Sequence, residues 1–287
     1  MDELGGRVAV ITGAGSGMGK AFAARFAAEG MKIVAADIQQ DALDATVAEL
    51  TAAGHEVAGV RTDVADPNSV RQLADAAYAR FGAVHLLCNN AGVEGYLDGP
   101  IWAATDKDWE WTVSVNFWSV VHGIRAFVPR MLAGGEPGHI VNTCSMTAVV
   151  GARNMYAITK HAVLALSEVL AADLQARDAP IGVTALCPGM IATNLFRGSR
   201  NRPARLRNET EPDGSPDGRQ IRDRLHAMLA AGMPPAEVAD LLADAVRRGA
   251  SYLLTDHAWD DRIEQRHQSI LAGTVGPLIP APESGAG

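Results

Sequence analysis

Cysteine is scarce in this chain, and its three examples, Cys88, Cys144 and Cys187, stand far apart. That spacing excludes a disulfide framework and a zinc ribbon; each thiol ends an apolar run, so a buried strand position is expected for all three. The eight histidines are scattered singly, without a His-x-x-x-His pair or a His/Cys cluster at metal-ligand spacing, so no metal is expected. Positive charge is in deficit, with 25 Lys and Arg against 33 Asp and Glu and a formal net charge of −8. That balance disfavours nucleic acid or an anionic membrane as partner. No apolar run approaches the ~20 residues of a membrane span, and Met1-Asp2-Glu3-Leu4 lacks the basic and apolar regions of a signal peptide. The expectation is a cytoplasmic protein. Internal repeats are absent, and no linker-like stretch divides the chain early.

What is present is enough apolar material, 48% of 287 residues, for one large α/β domain. Strand-like runs recur at 8–11, 32–36, 57–61, 86–89, 139–143, 182–187 and 251–254, and helical patterns separate them. Near-continuous apolar strands alternating with amphipathic helices call for a parallel sheet covered on both faces. Right-handed crossovers then give a Rossmann-like, doubly wound α/β fold.

The first strand runs into Thr12-Gly13-Ala14-Gly15-Ser16-Gly17-Met18-Gly19, and a helical pattern opens at Lys20. Glycines permit positive φ and let backbone N–H groups approach a ligand, while the helix dipole favours negative charge, so this loop suits a pyrophosphate. The second strand ends at Asp37, where a carboxylate accepts hydrogen bonds from both hydroxyls of an adenosine ribose and repels a 2′-phosphate. Neither Ser16 nor Ile38 offsets that repulsion, so NAD is expected over NADP. Thr62-Asp63-Val64 follows the third strand, in position to bracket an adenine edge, and Asn89-Asn90-Ala91-Gly92 closes the fourth. Between Thr105 and Pro129 one long helical pattern contains Trp109, Trp111, Asn116 and Trp118. An amide inside an apolar helix needs a partner, so Asn116 is either a satisfied core group or a functional one.

The densest chemistry lies in His139-Ile140-Val141-Asn142-Thr143-Cys144-Ser145 and Tyr156-Ala157-Ile158-Thr159-Lys160. The i to i+4 spacing places Tyr156 and Lys160 on one helix face. A phenol titrates near 10, about three units above neutrality. A neighbouring ammonium and a cationic nicotinamide are expected to bring it down by about two or three units.

With Thr12-Gly13-x-x-x-Gly17-x-Gly19, Asp63, Asn89-Asn90-Ala91-Gly92, Asn116, Ser145, Tyr156-x-x-x-Lys160 and Pro188-Gly189-x-x-x-Thr193 in this order, the chain resembles the short-chain dehydrogenase/reductase family from about Gly6 to about Thr193. The resemblance implies an acid/base at Tyr156, with Lys160 lowering its pKa and binding the nicotinamide ribose. Ser145 holds the substrate oxygen, and Asn116 anchors a water that links Lys160 to solvent. It implies a cofactor site made by Gly13, Ser16, Gly17, Met18, Gly19, Asp37, Ile38, Asp63, Val64, Asn90, Ala91, Gly92, Tyr156, Lys160, Pro188, Gly189, Ile191 and Thr193. It further implies a homodimer or homotetramer built on the helices that contain Asn116 and Lys160. The interval from Ser145 to Tyr156 is about two residues shorter than the family's, which leaves Thr143 as an alternative to Ser145. Ala148 replaces a customary glycine, and the family's Val-Asp-Gly-Gly segment is missing near the end.

Residues 1–255 are accordingly expected to form the dinucleotide-binding and catalytic domain, with a substrate loop at about 194–233. Residues 256–287 follow as a helical extension with Trp259, Ile263 and Ile270, then a Pro/Gly tail expected to be disordered. The polar stretch 197–220 reads as a surface loop and candidate substrate lid. Its five arginines from Arg197 to Arg207 suit either an anionic substrate or a solvated loop balanced by Glu209, Glu211, Asp213 and Asp217. Helices are expected over 221–233 and 235–249. Val93, Met146, Met155, Met190, Leu195 and Phe196 are the candidate substrate contacts, and their apolar character points to a hydrophobic substrate. The function expected is an NAD-dependent oxidoreductase interconverting a secondary alcohol and a ketone. The alternatives are a non-redox or imine-reducing enzyme on the same scaffold and an NAD-binding regulatory module.

Overall fold

All seven apolar runs become strands of one parallel sheet in the order β3-β2-β1-β4-β5-β6-β7. The computed structural model describes residues 1, 3–209 and 215–279. The strands are β1 (Val8–Thr12), β2 (Lys32–Asp37), β3 (Val57–Arg61), β4 (Leu86–Asn89), β5 (Gly138–Thr143), β6 (Ile181–Cys187) and β7 (Tyr252–Leu254). The helices are α1 (Gly17–Ala28), α2 (Gln40–Ala52), α3 (Pro67–Phe81), α4 (Asp106–Val113), α5 (Ser119–Gly134), α6 (Met146–Val150), α7 (Met155–Gln175), α8 (Pro216–Ala230), α9 (Pro235–Arg248) and α10 (Asp260–Leu271).

Successive residues of a strand face opposite sides, and here both sides are covered. Ile11 and Ile33 pack with Phe22, Phe26 and Leu242 of α1 and α9 on one face. Val10 and Val34 pack with Leu73, Phe127 and Leu174 of α3, α5 and α7 on the other. Strand β1 pairs with both β2 and β4, so the chain order reverses at β1. A crevice therefore opens beyond the C-terminal ends of β1 and β4, between the turns that leave them. The three thiols are buried, as strand-end positions predict. Helix α7 is, among the described residues, long and apolar enough by composition to cross a membrane. Part of its apolar surface serves internal packing, since Val163, Leu170 and Leu174 lie in the two clusters beside β5 and β6, while Ile158 and Val169 are exposed.

Four sequence expectations change. The single helical pattern of 105–129 divides into α4, a π turn over Ser114–Trp118 and α5, because the extra residue of a π turn shifts the phase of the apolar stripe. Helix α8 begins at Pro216 rather than residue 221: Ser215 caps it by accepting the Gly218 N–H, and the proline occupies its first turn. The polar loop is partly buried, with short 3-10 turns at Leu195–Asn201 and Ala204–Leu206 and both Gly198 and Leu206 inside. Its arginines pair outside the loop, Arg197 with Asp223, Arg202 with Asp108 and Arg205 with Glu110. Asp217 sits in the first turn of α8, Glu209 pairs with Lys107, and Glu211 and Asp213 lie outside the described residues. Finally, the C-terminal segment is tied down as far as Ile279, whose N–H donates to Gly151 O (3.0 Å) and whose O accepts from Arg153 N (3.1 Å). Residues 280–287 of the expected disordered tail lie outside the described residues.

Candidate active site

The glycine loop is shaped by contacts that tolerate no side chain. Gly13 (φ +69°) and Gly17 (φ +53°) occupy left-handed backbone, and a Cβ on Gly19 would collide with the Gly13 carbonyl oxygen. Ser16, extended at the mouth of α1, makes no side-chain cap bond, and the first turn carries no acidic residue. The N-terminal N–H groups of α1 and the Ser16 hydroxyl therefore stay available to an anion.

Asp37 ends β2 and accepts the Gly15 N–H on Oδ2 and the Gln39 N–H on Oδ1, each at 2.9 Å. A carboxylate so held retains lone pairs for two ribose hydroxyls. Thr12 joins the two turns at the crevice: its hydroxyl accepts the Asn90 and Ala91 N–H groups, and its carbonyl accepts the Asn90 amide. Asp63 caps its own turn by accepting the Ala65 N–H. One cleft is lined by Gly13, Ser16, Gly17 and Met18, by Asp37 and Ile38, by Asp63 and Val64, by Asn90, Ala91 and Gly92, and by Tyr156, Lys160 and Thr193. This elongated wall, acidic at its far end and rich in backbone donors in the middle, fits a dinucleotide.

Four expected cofactor residues lie behind that wall. Gly19 is buried under the loop, Pro188 accepts the Met146 N–H, Gly189 donates to Thr255, and Ile191 pairs with Met233. They hold the segment that brings Thr193 over the α1 N-terminus, where a Cβ on Gly17 would stand 3.2 Å from Thr193 Cγ2.

The chemical end of the cleft is built by β5 and α7. Asn154 caps α7 through the Ala157 N–H, placing Tyr156 and Lys160 in its first two turns. Lys160 is buried; Nζ donates to Thr143 O at 2.7 Å and lies 5.5 Å from the Tyr156 ring centroid. Burial lowers its ammonium to about 8. The Tyr156 phenol faces the Ser145 side chain, which favours ionisation, yet desolvation outweighs this and pushes its pKa up. The expected depression of the phenol is therefore not produced by the chain alone. The reason is geometric: Lys160 is committed to a backbone carbonyl, and burial penalises phenolate and ammonium alike.

Ser145 caps α6 and accepts from Thr147 N and Thr147 Oγ1, which leaves its own O–H to donate. The alternative, Thr143, bonds Asn90 Oδ1 instead. Asn116, fully buried on the π turn, accepts the Val93 N–H (2.8 Å) and donates to Val93 O and Thr159 Oγ1. Both amide donors are thus spent on positioning the turn after β4 and the helix of Tyr156, so a water held by this residue would have to donate to one of its oxygens.

Of the six apolar candidates, Val93 and Leu195 line the cleft. Met146 and Met155, the first residues of α6 and α7, are buried core residues. Met190 is exposed outside the cleft, and Phe196 does not line it either. Trp111, Val115 and Leu206 take their place. Trp111 and Val115 carried a helical-face signal in the sequence, and Arg200 is one of the five loop arginines that suit an anionic substrate or solvent, whereas Leu206 gave none.

A profile of the short chain dehydrogenase family matches residues 7–204. A 1-deoxy-11-beta-hydroxypentalenate dehydrogenase from Streptomyces avermitilis is 46% identical over 192 residues, 66% of this chain and 70% of that protein. A C alpha-dehydrogenase from Sphingobium is 33% identical over 286 residues, 99% of this chain and 91% of its own. Among solved structures, a short chain dehydrogenase/reductase from Burkholderia phymatum in complex with NAD superposes with a TM-score of 0.92 at 41% identity, covering 96% of this chain and 98% of that one. The protein described here belongs to the short-chain dehydrogenase/reductase family of oxidoreductases.

Proposed function

We propose that this protein is an NAD-dependent oxidoreductase that interconverts a secondary alcohol and a ketone on a hydrophobic substrate. The observation that carries this reading is the convergence of Ser145, Tyr156 and Lys160 at one end of a cleft whose other end is Asp37. NAD when bound supplies the hydride acceptor and, in its oxidised form, a positive charge beside the phenol. Tyr156 exchanges the hydroxyl proton of the substrate, as base in oxidation and as acid in reduction. Burial favours its protonated form, the one required to donate a proton to a carbonyl oxygen. Ser145 donates its free O–H to the same substrate oxygen, and Lys160 braces the strand end at Thr143 beneath the ring. Asp37 accepts the adenosine ribose hydroxyls and disfavours a 2′-phosphate.

The substrate end is apolar, with Val93, Trp111, Val115, Leu195 and Leu206 in its walls, which supports a neutral hydrophobic alcohol. The Streptomyces relative, named for a hydroxylated pentalenate, supports the same reaction class. A homodimer or homotetramer is supported by exposed apolar side chains on the α5 and α7 side, among them Trp118, Ile158 and Val169.

The test is NADH absorbance with a panel of aliphatic, aryl, steroid-like and polyol secondary alcohols, offered with NAD to wild type and to Tyr156→Phe. One NADH per ketone formed is expected from wild type, with a loss of about 10²–10⁴-fold in the variant while NADH still binds. Product without NADH, or retained turnover in Tyr156→Phe, contradicts the proposal.

A further inference from the structure

Glu94 follows the Gly92-Val93 turn and is 1% exposed. Its Oε1 accepts the Ser199 N–H at 3.1 Å, and its Oε2 is buried without a hydrogen-bond partner. A carboxyl group in that state is more costly than an apolar side chain of the same length. Burial raises its pKa to about 7, against its own backbone N–H, the Ser199 N–H and the charges of Arg222 and Arg200. What the carboxyl provides that an apolar residue cannot is one directional bond to the backbone of 195–201.

Gly198 fits that contact. It is buried over Glu94, and a Cβ there would collide with Glu94 Oε2 and stand 3.3 Å from Val93 Cγ1. Two residues on, Arg200 Nη2 donates to Gln39 Oε1 at 3.1 Å, and Gln39 follows Asp37 by two positions. Arg200, Gly198 and Leu195 line the same cleft as Asp37, Gln39 and Ser16. The segment therefore crosses the cleft from Thr193, beside the α1 N-terminus, to Gln39 at the far end. Glu94 supports it midway.

We propose that Glu94 is a positioning residue that latches 195–201 across the cofactor cleft, holding the Arg200 guanidinium over the adenosine-diphosphate half of the bound dinucleotide. The inference rests on the NAD reading above and adds to it a role for a stretch whose sequence suggested a substrate lid. A guanidinium there meets the negative charge of the pyrophosphate and covers the adenosine, so the latch acts on cofactor retention.

The experiment is stopped-flow release of NADH from the full-length protein, followed by NADH fluorescence, with steady-state KM for NAD and kcat alongside. Glu94→Ala is expected to speed release about tenfold and to raise KM more than it lowers kcat. Glu94→Gln keeps an acceptor for the Ser199 N–H and stays within about twofold of wild type. Gly198→Ala, which pushes the segment off Glu94 from the other side, matches Glu94→Ala, and the double variant goes no further. Wild-type release from a folded Glu94→Ala overturns the latch, as does failure of glutamine to restore it. If Glu94→Ala does not fold, wild-type release from Gly198→Ala overturns it instead. A wild type that binds no NADH overturns the cofactor reading and the latch together. A wild type that binds and turns over NAD while Glu94→Ala is indifferent overturns the latch alone.

Discussion

Arg202 Nη1 lies 2.7 Å from Asp108 Oδ1, in an ion pair whose side chains are only 11% and 3% exposed. The pair joins the polar loop to the first turn of α4. Asp108 also accepts the Thr105 N–H and hydroxyl, which with the Arg202 guanidinium hold its carboxyl below the usual range despite burial, and it accepts the Asn208 amide as well. The guanidinium lies over Trp111 at 5.1 Å and donates to Leu206 O. Trp111 and Leu206 both face the cleft, so the pair sets the width of the substrate end.

Removing one partner strands the other. Asp108→Ala is expected to cost about 3 kcal/mol, because a guanidinium is left buried without its counter-ion. Arg202→Met is expected to cost less, since the Asp108 carboxylate keeps the Thr105 N–H, the Thr105 hydroxyl and the Asn208 amide as donors, and the unbranched side chain fills the space beside Trp111. Urea unfolding of the two variants gives the order, and an Arg202→Met that costs as much as Asp108→Ala contradicts the account.

Asp37→Ala removes the carboxylate at the far end of the cleft. The ratio of kcat/KM for NAD to that for NADP is expected to fall at least about tenfold, the equivalent of ~1.4 kcal/mol. Steady-state kinetics with both cofactors measures it, and an unchanged ratio refutes the role of Asp37.

Burial raises the Glu94 carboxyl from 4.5 to about 7. Between those values the unfolded chain has released a proton that the folded chain still holds, so this group lowers stability as pH rises through the window. Below it both states are protonated, and the penalty vanishes. Glu94→Gln has no such proton. Its stability relative to wild type is expected to improve from pH 5 to pH 8, a difference that urea titrations at the two pH values read directly. A constant difference means that Glu94 ionises normally in the folded protein.

The interval between Ser145 and Tyr156 is braced from the C-terminal side. Ile279 exchanges backbone bonds with Gly151 and Arg153, and a Cβ on Gly151 (φ +79°) would lie 2.7 Å from Leu278 Cδ2. Ending the chain after Gly273 is expected to lower kcat by about tenfold, with NADH affinity kept within about twofold, since each net backbone bond contributes roughly 1 kcal/mol. Gly151→Ala is expected to act in the same direction. Turnover unaffected by the truncation refutes the brace.

How much was legible in the sequence follows the range of the forces involved. The seven strands announced themselves because a strand covered on both faces must be apolar at nearly every position, and their predicted ends fall within one residue of those observed. The glycine loop was legible because Gly13, Gly17 and Gly19 meet local steric demands that other residues fail. Tyr156 and Lys160 were legible as a pair because i to i+4 spacing on a helix is itself a geometry. The loop after Thr193 was not: its polar composition signals solvent, whereas Arg202, Arg205 and Arg197 find their partners on α4 and α8, distant in sequence.

The sequence alone therefore determined the parallel sheet, the glycine loop, the acidic strand end and the shared helix face of Tyr156 and Lys160, because each is encoded in short-range periodicity or backbone sterics; the role of Ser145 came only from the family resemblance. Tertiary structure decided the rest. It placed Met146 and Met155 in the core, spent the Asn116 amide on Val93 and Thr159, raised the Tyr156 phenol through burial, and set Glu94 beneath Gly198. Each of these depends on what desolvates or bonds a group from far along the chain, and a linear pattern of residues carries no record of that.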